Sequence, residues 1–175
     1  MLDISISYNR YKFVGHEFLT WLWFLIENEQ GFFKLDAENR VSLDIGNRIV
    51  LENRINEAVE SITIKGDEAG LEEGLLALRK GAVVTEINLA FSTEENKWQF
   101  TLKGESLAFS SLKTPDAGGV ETGEDVEGAV LEKVYLYEHV IRFTEDLFKR
   151  FIHKRISPDW NKTVVPQIKN WIHAG

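Results

Sequence analysis

The chain has no cysteine among its 175 residues. That absence excludes a disulfide framework, thiolate-held metals and a cysteine nucleophile together. It fits a reducing cytoplasm, where this chain is expected to work. No apolar run approaches the about 20 residues that a membrane span requires, so no transmembrane helix is expected. Met1-Leu2-Asp3-Ile4-Ser5 has no basic region and no apolar run before Tyr8, which predicts no secretory signal. There is no GxxxxGK[ST] phosphate loop, and Gly118-Gly119 leads toward acid rather than lysine. No GxSxG elbow occurs. The four histidines, His16, His139, His153 and His173, show neither HxxxH nor HExxH spacing. His139 and His153 are separated by about 21 Å along a helix, too far to share one metal. No catalytic residue, metal site, cofactor or small-molecule substrate is evident, and the expectation is a protein that is not an enzyme.

What is present suffices for one core. Hydrophobic residues make up 43% of the chain and charged residues 27%, which predicts a single domain over 1–175. From Glu17 to Ile26 only Glu17 and Thr20 are not apolar. A helix apolar almost all round must be wrapped by protein, so the spacing predicts a core helix from about His16 to Asn28. Leu2, Ile4, Ile6 and Tyr8 alternate with polar residues and predict a strand before it. Further strands are expected at Phe32–Leu35, around Val41, Leu43 and Ile45, and around Ile49 and Leu51, with Gly46-Asn47 as a hairpin turn. Ile62 and Ile64 suggest another. Leu71, Leu75 and Leu78 fall at helical spacing before Gly81. Val83 to Phe91 and Trp98 to Leu102 alternate most clearly, and Leu107 and Phe109 extend the meander. The fold class is α+β: an antiparallel β-sheet packed against the aromatic N-terminal helix and a long C-terminal helix.

That last helix runs from about Ala129 to Ile156 and breaks at Ser157-Pro158. Its predicted core stripe is Val134, Tyr137, Ile141, Thr144, Phe148 and Phe151, with Val130, Leu147 and Ile152 beside it. Arg142, Lys149, Arg150, His153 and Lys154 are expected on the opposite side. A final short segment carries Trp160 and Trp171, capped by Ser157 or Asp159, with Pro166 starting or kinking a helix. Residues 114–128 hold four glycines, five acids and no base, and predict a mobile acidic loop.

Charge is divided unevenly. Residues 1–128 carry 12 Lys and Arg against 23 Asp and Glu, whereas residues 129–175 carry 8 against 5. A mildly basic quarter on an acidic body can mark a polyanion-binding element or simply a solvated helix face. As a binding face it would use Arg142, Lys149, Arg150, Lys154, Lys162 and Lys169 on phosphates, giving sequence-independent and salt-sensitive contact. Paired carboxylates such as Glu72-Glu73 and Glu94-Glu95 sit in polar stretches and read as solvated surface. Asp44, Glu52 and Glu86 lie on strands without a motif joining them. Trp98, Trp160 and Trp171 read as packing rather than base-stacking platforms. Glu17 reads as a first-turn cap on the core helix, with an acid/base pair formed with His16 as the functional alternative.

Gly15-His16-Glu17-Phe18-Leu19-Thr20-Trp21-Leu22-Trp23-Phe24 resembles the block GxEFLxWLW of some recombination-associated RdgC family members. The resemblance continues through Ala77-Leu78-Arg79-Lys80-Gly81 and Trp98-Gln99-Phe100-Thr101-Leu102. It returns at Arg155-Ile156-Ser157-Pro158-Asp159-Trp160 and Val164-Val165-Pro166, in colinear order. What it implies is a nucleoid-associated homodimer that binds double-stranded DNA without sequence preference. This chain is shorter than the ring-forming members, and it is acidic, whereas a ring around DNA wants a basic lining.

Two functions therefore stand side by side, with a metal-dependent nuclease, for which no carboxylate motif is found, as a distant third. The first is a non-enzymatic, DNA-associated accessory protein. The second is a protein-interaction or self-assembly module with no nucleic-acid role. No membrane partner is expected under either, and a homodimer is compatible with both.

Overall fold

The computed structural model describes residues 4–28, 32–34, 40–55, 58–116 and 126–174. In chain order the elements are α1 (Ile4–Asn28), β1 (Phe32–Lys34), β2 (Arg40–Ile55), β3 (Ala58–Lys65), α2 (Glu68–Arg79), β4 (Val83–Ser92), β5 (Lys97–Lys103), β6 (Phe109–Lys113), α3 (Val126–Ile156) and α4 (Val165–Ala174), with one π turn (Trp160–Val164) before α4. This is an α+β arrangement, as the sequence predicts. All strand pairings are antiparallel. Ser42 pairs with both Phe32 and Ser92, and Ile49 with both Ile64 and Ile87. Strands β1 and β3 therefore share one edge of β2, while β4, β5 and β6 follow in order from the other.

Two expectations for the N-terminal third are corrected. The strand predicted over 2–8 is helical from Ile4 onward, so α1 is 25 residues long rather than about 13; residues 1–3 lie outside the described residues. A four-residue alternation is a weak signal beside a strong helix already nucleated at Glu17–Ile26, because extending a helix adds one hydrogen bond per residue fixed. Glu17 consequently sits in mid-helix and caps nothing.

The second correction concerns Gly46-Asn47, which does not turn the chain. Strand β2 continues through it and pairs with β4 on both sides, Ile45 with Leu89 and Ile49 with Ile87. Three β2 residues thus oppose Asn88 alone, a bulge that bends the strand without ending it. The excess is even, so Val41, Leu43, Ile49 and Leu51 all remain on the buried face. The hairpin partner of β2 is β3 instead. Asn88 holds the bulge: its Oδ1 accepts from the Asn47 backbone N–H at 3.1 Å. Only glycine fits at 46, since a Cβ there would overlap Asn88 Oδ1.

The core forms where α1 lies on the sheet. Phe18, Leu19, Leu22 and Trp23 are fully buried, with Trp21 and Ile26 nearly so. They meet the inward side chains of β4, namely Val84, Ile87, Leu89 and Phe91. Gly15 permits this approach, because a Cβ at that position would overlap the Gly104 carbonyl oxygen in the turn after β5. Helix α2 starts at Asp67, whose side chain accepts the Gly70 N–H at 2.9 Å, a standard N-cap. Its last turn reaches α4, where Arg79 Nε donates to the Ile172 carbonyl at 2.6 Å. Pro166 is the second residue of α4, in its first turn, one of the two places expected for it. It cannot donate a backbone bond and would clash one turn back; the wider π turn before it, closed by Val165 N–H on Trp160 O, makes room. No described helix is long and apolar enough to cross a membrane.

Candidate functional site

Helix α3 is 31 residues long, about 46 Å. Its first turn is Val126–Gly128, so the acidic loop expected over 114–128 ends earlier than predicted; residues 117–125 lie outside the described residues. Buried side chains on α3 are Leu136, Val140, Phe143, Thr144, Leu147 and Phe151. Before Leu136 nothing is buried, which leaves the ten residues from Val126 to Tyr135, about 15 Å of helix, without core contacts.

That segment is not polar. Val130 is 55% exposed, Val134 47%, Tyr135 66% and Ile141 39%, and Val126 and Leu131 are exposed too. The predicted core stripe is therefore corrected: Val134 and Ile141 face solvent, while Thr144 and Phe151 are buried and Phe148 partly so. The helix carries two apolar stripes. One, Leu136, Val140, Phe143, Leu147 and Phe151, faces the sheet and α1. The other, Val130, Val134, Tyr137 and Ile141, lies roughly 110° round the helix at about 100° per residue. The second stripe repeats every 4, 3 and 4 residues from Val130 to Ile141, the 3.5-residue period of a coiled-coil seam, and on the same bearing Thr144 and Phe148 then turn into the core. That spacing was the available signal; a reading that allots one apolar face to each helix assigns it to the core.

The six cations singled out by charge do not share one face. Arg142 bonds Glu138 at 2.9 Å, one turn back, and Lys149 bonds Asp146 at 3.1 Å. Both lie on the outer side of α3. Arg150 and Lys154 turn the other way and line a cleft with α1 and α4, and Lys154 lies 3.5 Å from Asp159. Lys162 is exposed on the π turn and Lys169 on α4. Asp159 makes no side-chain cap to the final segment, and Ser157 Oγ donates to the Lys154 carbonyl at 2.7 Å, closing α3 instead. Arg155, on the apolar bearing of α3, bonds Glu17 at 2.7 Å and lies 5.4 Å from the Trp160 ring centroid. This pair ties α1 to the end of α3 and replaces the cap expected of Glu17.

The cleft walled by α1, α3 and α4 measures about 910 Å³. Trp21, Phe24, Leu25, Leu147 and Trp171 make its apolar lining. A second, polar hollow of about 420 Å³ lies against β2, β3 and β4, lined by His16, Arg48, Glu52, Thr63, Glu86 and Lys103 among others. Glu86 there holds Arg48 at 3.0 Å and Lys103 at 3.7 Å. Asp44 accepts from Ser42 at 2.8 Å and is outside this lining, so of the three strand carboxylates only Glu52 and Glu86 share the hollow. Among the described residues no group of three or more His, Asp and Glu could hold a metal ion.

Trp98 and Trp160 are buried, as the packing reading expects, and Trp98 Nε1 donates to the Leu136 carbonyl at 3.0 Å. Trp171 packs edge-on against Trp23 at 5.3 Å and Phe24 at 5.6 Å. His139 stacks on Trp98 at 5.2 Å and sits 5.7 Å from the Phe91 ring. Burial among these rings holds its imidazole below the usual pKa. Its Nε2 has no hydrogen-bond partner among the described residues.

In comparisons with known proteins, no family model, no curated protein and no solved structure matches the chain. The likeness to the RdgC family accordingly rests on the quoted residue blocks alone.

Proposed function

We propose that this chain is a non-enzymatic assembly module that pairs with a second copy of itself through the outer stripe of α3. The observation that carries this reading is the exposed stripe of Val130, Val134 and Ile141 on a helix whose first ten residues bury nothing. Isolated exposed apolar residues are ordinary; a contiguous row at coiled-coil spacing is a liability unless something covers it. A second copy suits the row because like helices present like seams, and a two-fold pair closes without leaving a face free. The flanking charges agree with a parallel pair. Lys133 and Glu138 stand five residues apart on either side of Val134, the offset at which a flanking base on one helix meets a flanking acid on the other, and the Glu138 carboxylate, which holds Arg142 at 2.9 Å, is exposed enough to take a second cation. Cysteine-free chemistry suits the cytoplasm.

The DNA-associated reading draws less support from the geometry. Arg142 and Lys149 lie on the outer face of α3, each beside a carboxylate, while Arg150 and Lys154 line the cleft, so the four cations form no single surface. The test is light scattering across concentration. The parent chain is expected to move from its 20.1 kDa monomer mass toward twice that value. Val130→Asp with Val134→Asp should hold it at the monomer mass and, at a concentration where the parent is also monomeric, leave the melting temperature within about 2 °C, because both side chains are solvent-facing. A parent that stays monomeric at several hundred micromolar refutes the proposal.

A further inference from the structure

The cleft between α1, α3 and α4 is separate from the seam, and its chemistry points elsewhere. Its volume, about 910 Å³, lies within the range of small-molecule sites. The apolar lining is unusually aromatic: Trp21 and Phe24 from α1 face Trp171 from α4. The charged residues of the lining are Arg150 and Lys154, and among the described residues no carboxylate lines it. The two cations are one helical turn apart, so both charges enter along the α3 wall. The Lys154 side chain remains 44% exposed despite Asp159 at 3.5 Å, and Asp159 is not part of the lining. Gln167 and Asn170 add neutral amides that can donate to an anion, whereas the Asn28 amide already donates to the Phe24 carbonyl at 2.8 Å.

We infer that this cleft binds a single-chain amphipathic carboxylate free in solution, with its alkyl body against the aromatic walls and its head group between Arg150 and Lys154. A guanidinium offers two parallel donors to a carboxylate, and an ammonium one turn away adds a compact second charge. The apolar walls supply attraction without regard to head group, so head-group charge decides selectivity. A neutral alcohol of the same length loses the charge-assisted bonds, and an alkylammonium meets repulsion.

The test uses the full chain and dodecanoate below its micelle concentration. Tryptophan emission reports occupancy, since Trp21 and Trp171 line the cleft, and calorimetry gives stoichiometry. Saturable binding of one dodecanoate per chain is expected, with dodecanol at least about tenfold weaker. Arg150→Gln with Lys154→Gln should weaken dodecanoate at least about tenfold and leave dodecanol unchanged. If the double variant melts early, Lys154→Gln alone carries the comparison. The Val130→Asp, Val134→Asp chain should bind as the parent does, which separates this site from the seam. Failure to saturate, equal affinity for alcohol and acid, or full affinity in the Gln variants would overturn the inference. So would binding to phosphatidylglycerol vesicles with none to free dodecanoate.

Discussion

Replacing Asn88 by alanine removes four hydrogen bonds at one position. Its Oδ1 accepts from Asn47 N–H at 3.1 Å and from Gln99 Nε2 at 3.0 Å. Its Nδ2 donates to the Phe100 carbonyl at 3.1 Å and to Thr101 Oγ1 at 3.0 Å. The residue is 5% exposed and Thr101 1%, so water cannot readily take over the inner pair. Bonds of this kind contribute about 1 kcal/mol each net, and a buried group left alone costs about 1–3 kcal/mol. Allowing water to recover part of the loss at the exposed Asn47 and the half-buried Gln99, the total is about 3 kcal/mol. For a domain of this length that corresponds to about 6–12 °C in Tm. Thr101→Ala breaks only one of the four and should cost about 2–4 °C. Thermal unfolding followed by circular dichroism reads both. If Asn88→Ala melts within about 2 °C of the parent, or if Thr101→Ala costs as much, Asn88 does not hold the β2 bulge and the reasoning fails.

Three further outcomes follow from named contacts. Arg155→Ala should lower stability by about 1–2 kcal/mol, and a double-mutant cycle with Glu17→Ala should return a coupling near 1 kcal/mol; zero coupling would mean the pair does not join α1 to α3. The lowered pKa of His139 means that the folded state prefers the neutral ring. The associated stability is complete above the ordinary value of 6.5 and is lost as pH falls through the lowered one. Between about pH 7 and pH 5 the parent's Tm should therefore fall more than that of His139→Phe, and parallel falls would contradict the burial argument. In fluorescence anisotropy, a labelled duplex of about 30 base pairs should show no salt-sensitive binding at about 50 mM salt; micromolar binding that weakens when Lys149, Arg150 and Lys154 become Glu would restore the DNA-associated reading.

Periodicity carried much of the fold, because an apolar pattern reports which face meets protein. Thus β4, β5 and α2 lie where their alternation or helical spacing puts them. It failed where two elements could satisfy one pattern. Leu2 to Tyr8 alternates, but continuity with the aromatic helix decides its state. Gly46-Asn47 has turn chemistry, yet its glycine serves a close approach to Asn88, a residue 42 positions downstream that no local reading couples to it. The candidate site shows the same limit. The row Val130, Val134, Tyr137 and Ile141 is visible in the sequence, but so is the row Leu136, Val140, Phe143 and Leu147. Which one faces the core depends on the rotation of α3, and that is set by contacts such as Trp98 Nε1 on the Leu136 carbonyl. The cleft needs α1, α3 and α4 together, and nothing in the local sequence reports it.

The most direct test of self-association exploits the absence of cysteine. In a parallel, in-register pair, Val134 meets Val134 of the second copy across the seam, close enough for a disulfide, whose Cα atoms stand about 4.4–6.8 Å apart. Under mild oxidation, Val134→Cys is expected to form a covalent dimer in high yield at micromolar concentration, and Arg142→Cys, off the seam, to remain monomeric. Equal cross-linking of the two, or none at Val134→Cys and Ile141→Cys, would contradict the account.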